Sequence, residues 1–259
     1  MVRGLYTGWT GMYTEQKRLD VIANNIANAS TTGYKQENVS SQSFDEHLAI
    51  RIRDNEDPLG RERVIGNMSL GVKIGEVYTN FDQGSVRHTG NTFDLALDGD
   101  GFFTMRVVDL AGNEHIRYTR AGNFNITQDG YVTDMDGNHL QSEAGDLIVP
   151  TDTTISFDKD GTVYSNGEAI DRLIITDFED NKYLKKYADT MYEPVDGATE
   201  KEEVSYNVLQ GYLEQSNINV VHEMVQMIDI TRAYEANQKI IQTMDSTLDQ
   251  AVNSVGRVQ

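Results

Sequence analysis

The chain has 259 residues, with 22 Lys and Arg against 41 Asp and Glu, and its net charge of −19 argues against nucleic acid or anionic membrane surfaces as partners. That length leaves room for two domains and a real core. There is no Cys, which excludes disulfides and thiolate metal sites and suits oxidising or reducing surroundings alike.

The first residues show no basic start followed by an apolar run, so no cleaved secretory signal is expected. No stretch approaches the roughly 18 uninterrupted apolar residues of a membrane span, and these features alone would place the chain in the cytoplasm. Val2, Leu5, Trp9, Met12, Gln16, Leu19, Ala23 and Ile26 recur at alternating spacings of three and four, which predicts an amphipathic N-terminal helix. Gly4, Gly8 and Gly11 each cost it up to about 1 kcal/mol relative to Ala, so this helix is marginal until packed. Asn24, Asn25 and Asn28 then interleave with Ala and Ile before Ser30-Thr31-Thr32-Gly33. Asn side chains bond nearby backbone and Gly33 supplies a left-handed residue, so a specific helix end and turn is expected here.

Residues 36–76 read as a connecting segment. Phe44, Leu48 and Ile52 form a short helical stripe, and the charged stretch from Arg51 ends at Pro58. From about Val77 to Ser205 the period changes to two. Phe93, Leu95 and Leu97 alternate with Asp94, Ala96 and Asp98, and Ile155 and Phe157 alternate with Thr154 and Ser156. Turn pairs fall at Asp100-Gly101, Asp129-Gly130, Asp136-Gly137 and Asp160-Gly161, so an antiparallel domain of short strands is predicted.

The last forty residues carry the longest pattern. Val220, Glu223, Met227, Ile230, Tyr234, Asn237, Ile241, Met244, Leu248, Ala251 and Val255 form a seven-residue repeat broken only by Glu223 and Asn237. Val221, Met224, Val225, Ile228 and Ile240 widen the stripe beyond a two-helix seam, which implies more than one neighbour. Asn219 is a fair N-cap and Gly256 ends the pattern, so a helix of roughly 35 residues and about 50 Å is predicted. Such a helix needs a partner, either the N-terminal helix or the ends of other copies. The ends are nearly neutral, at +2 for residues 1–35 and −2 for 220–259, so the middle carries the whole −19 as a solvated surface.

Three Asp-x-Asp-Gly runs, at Asp98, Asp134 and Asp158, invite a calcium reading. The preceding acidic ligand of an EF-hand is missing from all three, where Ala96, Val132 and Ser156 stand, so hairpin turns are expected instead. His222-Glu223-Met224-Val225-Gln226 lacks the second His of a zinc-protease helix. His47, His88, His115 and His139 have no ligand spacing, and no nucleophile elbow or phosphate-binding loop is present, so no cofactor, metal site or enzymatic activity is expected.

Four ordered motifs carry a resemblance. Asn24-Asn25-Ile26-Ala27-Asn28 followed by Thr32-Gly33-Tyr34-Lys35 resembles the N-terminal signature of the bacterial flagellar rod and hook proteins, with Tyr34 where that family usually has Phe. Thr92-Phe93-Asp94-Leu95-Ala96-Leu97 with Gly99, Gly101, Phe102 and Phe103 is similar to its mid-chain motif. Tyr118-Thr119-Arg120-Ala121-Gly122 with Phe124 and Gly130 resembles the next. Gly211 to Asn217, including Glu214 and Ser216, then Glu223, Arg232, Tyr234, Glu235 and Asn237, is similar to the C-terminal signature. The small proximal rod proteins lack a middle domain of this size and the hook protein is longer, so the resemblance is greatest to the distal-rod group.

The expected fold is therefore α+β. Long terminal helices pack as a coiled-coil-like domain over 1–35 and 206–259, with a connecting segment at 36–76 and an antiparallel β-rich outer domain at 77–205. The predicted assembly interface is Leu5, Trp9, Met12, Leu19, Ile26, Met227, Ile230, Tyr234, Ile241, Met244, Leu248 and Val255. The resemblance implies a structural subunit that polymerises helically into a torque-bearing shaft in the flagellar basal body. It also implies export through the flagellum's own type III apparatus, which revises the cytoplasmic reading. The expected partners are copies of itself, other rod and hook subunits and the export apparatus, with no nucleic acid and no membrane insertion. Helices that stay unfolded until assembly would suit export through a narrow channel. The rival expectation is a secreted oligomeric binding module, in which the acidic β domain takes an ion or glycan and the helices make a small closed coiled coil.

Overall fold

The computed structural model describes residues 2–51, 63–109, 112–150, 153–201 and 204–255. It is α+β, with one long helix at each end and a β-rich antiparallel middle. The chain forms two compact units, both discontinuous in sequence. The first comprises Met1–Asn24, Glu37–Tyr78 and Val221–Gln259, and the second Asn25–Gln36 and Thr79–Val220.

The first unit contains most of helix α1 (Val2–Ala27, 26 residues) and nearly all of helix α2 (Val220–Gln250, 31 residues). α2 starts where the heptads start, and its regular turns end earlier than the pattern: Ala251–Val255 is a π turn. The two helices run antiparallel, with Gly4 against Met244, Gly8 against Ile241 and Gly11 against Asn237. A Cβ on Gly8 would stand 3.1 Å from the Ile241 side chain, so these glycines let the helices approach more closely than larger residues would permit. The residues that weaken α1 in isolation are thus the ones that pack it. On another face of α1, the Thr7 hydroxyl donates to the Leu70 carbonyl, and Gly71 leaves room for Thr10.

Over its described residues, Phe44 and Leu48, the expected helical stripe is not helical. Glu37–Ser43 and His47–Arg51 are strands, pairing with Val72–Thr79 and Arg63–Met68 respectively, and Phe44 follows the first strand. Phe44 lies in the link at 44–46 and Leu48 in the strand after it, so the two belong to no single element. Residues such as Val39, Ser40, Ser41 and Ser43 tip the balance toward extended backbone. Ile52 and the charged stretch up to Pro58 lie outside the described residues.

The second unit is built on an antiparallel sheet. Its strands run in the spatial order Leu184–Lys186, Met191–Pro194, Glu114–Thr119, Phe102–Val108, His139–Ser142, Val132–Thr133 and Asn125–Ile126. A three-stranded sheet over 155–172 and the pair Leu95–Gly99 with Tyr206–Gln210 close over it. Leu95, Leu97, Phe103, Met105, Leu140, Leu147, Val149 and Val163 form the main core. Phe102 points the other way, into a smaller cluster with Tyr118, Phe178, Leu184 and Tyr192, as the strand period of two dictates.

Three of the four Asp-Gly pairs are hairpin turns, whereas Asp100-Gly101 links Leu95–Gly99 to Phe102–Val108, two strands that pair elsewhere. Gly130, Gly137 and Gly161 each have positive φ and donate to the carbonyls of Thr127, Asp134 and Asp158. The carboxylates are engaged by the turns themselves: Asp134 accepts from the backbone N–H groups of Asp136 and Asn138, and Asp158 from that of Lys159. His222 and Gln226 bond each other, Nε2 to Nε2 at 2.8 Å, as a pair one turn apart on α2.

Two glycines separate steric crowding from backbone conformation. A Cβ at Gly122 would overlap the Leu95 carbonyl, whereas one at Gly137, with φ of 85°, meets nothing within 4 Å. Gly122→Ala is expected to cost about 3 kcal/mol or more and Gly137→Ala about 1 kcal/mol, as read by urea unfolding of the two variants.

Candidate functional site

Three charged side chains from distant parts of the chain meet inside the second unit. Lys35 Nζ donates to Glu214 Oε1 at 2.6 Å, and Arg120 Nη1 donates to Glu214 Oε2 at 3.4 Å. The Glu214 side chain is 0% exposed, Lys35 1% and Arg120 6%. Such a cluster persists only if its remaining polar positions are filled. Backbone fills most of them: the Gly84 N–H donates to Glu214 Oε1 at 2.9 Å, Lys35 Nζ to the Asp82 carbonyl at 2.9 Å and Arg120 Nη2 to the Gly99 carbonyl at 2.9 Å, while Arg120 Nε is buried without a hydrogen bond. Burial pulls the Lys35 ammonium below its ordinary pKa, against the attraction of Glu214. The guanidinium of Arg120 also lies over the Phe102 ring, 5.3 Å from its centroid.

The local sequence around each charge is shaped to bring it in. Gly33 has φ of 68°, its N–H donates to the Glu214 carbonyl, and a Cβ there would run into the Ala121 backbone. This lets Tyr34 and Lys35 enter the unit fully buried. The Tyr34 hydroxyl reaches Asn25 Oδ1 at 3.4 Å, and the Lys186 ammonium sits 4.1 Å from the Tyr34 ring centroid. Asn28 Oδ1 accepts from the Thr31 hydroxyl at 3.0 Å, which fixes the turn after α1. Asn25 is buried, Thr32 is half-buried, and Asn24 and Ala27 are exposed.

The remaining motif residues also tie segments together. Asp94 accepts from the Thr89 hydroxyl and from Asn91 Nδ2, and its carbonyl takes the Gly211 N–H. Thr119 Oγ1 donates to the Thr190 carbonyl and accepts from the Ala121 N–H. Gly99, at φ of 117°, leaves no room for a Cβ beside the Ser205 carbonyl, and Gly101 lies against Ile175. Phe102 and Phe103 anchor the two cores. Ser216 Oγ accepts from the Ile218 N–H, and Asn217 bonds three backbone groups. On α2, Glu223 is buried, Tyr234 and Asn237 are half-buried, and Arg232 and Glu235 are exposed.

The predicted interface residues take a graded position within one chain. Ile230 is buried, and Leu5, Met12, Leu19, Ile26, Met227, Tyr234, Ile241, Met244 and Leu248 are half-buried. Trp9 is 54% exposed, with its ring stacked on Tyr13 at 5.8 Å between centroids. The side chain of Val255 lies outside the described residues. The four-three spacing of Gly4, Gly8 and Gly11 was legible, though not that it faces α2. The buried charge cluster was not, because Lys35, Arg120 and Glu214 stand 94 or more residues from their partners.

Two substitutions test this interior. Glu214→Gln leaves two cations buried without their anion and is expected to destabilise by about 3–5 kcal/mol in denaturant titrations followed by far-UV CD. Burial first, and then Glu200, which accepts its hydroxyl at 3.0 Å, raise the Tyr118 phenol well above its ordinary value. The folded chain therefore keeps this proton while the unfolded chain loses it near pH 10, so Tyr118 contributes fully below about pH 10 and progressively less above. Stability is expected to fall as pH rises from 9 to 11, with a shallower fall in Tyr118→Phe, measured by melting temperature against pH.

Comparison with known proteins matches three family descriptions in chain order. They are "Flagella basal body rod protein" over residues 5–35, "Flagellar hook protein FlgE/F/G D1 domain" over 96–165 and "Flagellar basal body rod FlgEFG protein C-terminal" over 209–254. Lys35, Arg120 and Glu214 fall one in each. Among relatives, the flagellar hook-basal body complex protein FlhO of Bacillus subtilis is 31% identical over 100% of both chains. The flagellar basal-body rod protein FlgG of Agrobacterium fabrum is 34% identical over 94% of this chain and 96% of its own. The rod protein FlgF of Caulobacter vibrioides is 30% identical over 100% of both. With matching segments at both ends and in the middle, and relatives similar along their full length, the chain belongs to the flagellar basal-body rod and hook protein family.

Proposed function

We propose that this protein is a structural subunit of the bacterial flagellar rod, of the distal-rod type, and not an enzyme. The observation that carries the reading, beside the family, is apolar surface left open on both terminal helices of an otherwise acidic chain. Tyr6 is 64% exposed, Val221 is 72%, and Trp9, Met224, Val225 and Ile228 are each half exposed or more. Contiguous apolar surface of this kind marks an interaction site. Copies joined head to tail through unlike faces give an open helix when the rotation between them does not close.

In this reading the helices α1 and α2 of the terminal segments 1–35 and 206–259 form a coiled-coil-like inner layer. There, the exposed Trp9 and the half-buried stripe of Met227, Ile241, Met244 and Leu248, continued by Val255, meet neighbouring copies. Segment 36–76 connects this layer to an acidic β-rich outer layer over 77–205, which stays solvated. The finished shaft carries torque from motor to hook. Copies of the chain and other rod and hook subunits are its partners, in the basal body. Export through the flagellar type III apparatus without a cleaved signal completes the proposal.

The direct test is mass spectrometry of detergent-extracted basal bodies, where the protein is expected in stoichiometric amounts with other rod subunits. A soluble oligomer in the culture medium and none in basal bodies would instead support a secreted binding module. On the protein itself, Trp9→Ala and Ile228→Ser are surface changes, expected to leave monomer stability within about 1 kcal/mol while abolishing polymerisation in sedimentation assays.

A further inference from the structure

The chain passes between its two units at four places in sequence, after Asn24, Gln36, Tyr78 and Val220. Beside three of these passages, the segments on the side of the second unit are stitched together, and one side chain bonds all three. Asn217 Oδ1 accepts the Gln36 N–H at 2.8 Å, and Asn217 Nδ2 donates to the carbonyls of Asn80 at 2.9 Å and Asp82 at 3.1 Å. The Asn80 N–H in turn donates to the Gln36 carbonyl at 2.8 Å. The Lys35 ammonium is anchored on the Asp82 carbonyl, the Gln215 N–H donates to the Ser85 carbonyl, and the Ser85 hydroxyl donates to Gln215 Oε1.

We infer that Asn217 is a clamp that makes the three segments move as one body, and so sets the stiffness with which load on the terminal helices reaches the β-rich unit. A single strand yields to force by rotating its φ and ψ angles. Three strands cross-linked side by side must rotate together or break the cross-links. The role needs an amide: one side chain must present an acceptor and two donors within a few ångströms, which neither a carboxylate nor a hydroxyl does. Asn217 is a positioning residue, half-buried; it bonds none of the Lys35, Arg120 or Glu214 side chains and shares with Lys35 only the Asp82 carbonyl. The mechanical consequence rests on the rod reading; the clamp itself does not.

The test uses the full-length protein with Asn217→Ala and Asn217→Asp. In hydrogen exchange on the purified chain, Asn217→Ala is expected to speed exchange of the Gln36 and Asn80 amides at least tenfold, with the amides of Phe102–Val108 and Glu114–Thr119 unchanged. Asn217→Asp keeps the acceptor and loses the donors, so Gln36 is expected to stay protected while the segment around Asn80 loosens. It also serves if the Ala variant does not fold. In cells relying on Asn217→Ala, basal bodies are expected to hold normal amounts of the subunit while swimming speed falls at least twofold more steeply than wild type as medium viscosity rises. Unchanged exchange at Gln36 and Asn80 would overturn the clamp. Faster exchange with wild-type dependence on load would overturn its mechanical role. Absence of the unmodified protein from basal bodies is a separate result, which would remove the rod reading and leave the exchange result standing.

Discussion

A carboxylate with no access to water governs the second unit. Glu214 is held between Lys35 and Arg120, and its charge is tolerable only because both cations, and the backbone amide of Gly84, reach it together. Each of these groups arrives from a different stretch of chain, 179 residues away for Lys35 and 94 for Arg120. The glycines around them follow from the same demand. Gly33 must turn left-handed to admit Tyr34 and Lys35, and Gly122 must be bare where the Leu95 carbonyl passes. Contacts this far apart in sequence also mean that the unit cannot close before residue 214 is available.

The first unit obeys a different rule. Its helices are joined by close approach rather than charge, with Gly4, Gly8 and Gly11 of α1 set against Met244, Ile241 and Asn237 of α2. Leaving side chains off one helix turns the larger aromatic residues, Tyr6, Trp9 and Tyr13, outward. One choice of residue type thus tightens the pair and leaves aromatic surface exposed. The acidic middle has the opposite character. Its charge is spread over solvated strands and turns, where like charges repel.

Rigidity is the property that joins these two designs to the proposed role. A shaft subunit gains nothing from a well-packed outer domain that swings on loose strands. The bonds of Asn217, together with the buried anchor of Lys35 on Asp82, set that limit at the ends of the second unit.

Much of this protein is legible in its sequence by itself. Periodicities of 3.5 and 2 separate the terminal helices from the β-rich middle, Val220 begins α2 where its heptads begin, and three of the four Asp-Gly pairs mark hairpin turns, because each signal is local. The stripe of Phe44 and Leu48 misled because one four-residue spacing does not define an element: Phe44 falls in a link and Leu48 in the strand after it, which only pairing with a second segment decides. The motif at Thr32-Gly33-Tyr34-Lys35 could be recognised, but not why it is built that way. That Lys35 meets Glu214 and Arg120, that the glycines of α1 face α2, and that Asn217 ties three segments are decided by tertiary structure alone. Each depends on which distant residues arrive at the same place, and no local period encodes that.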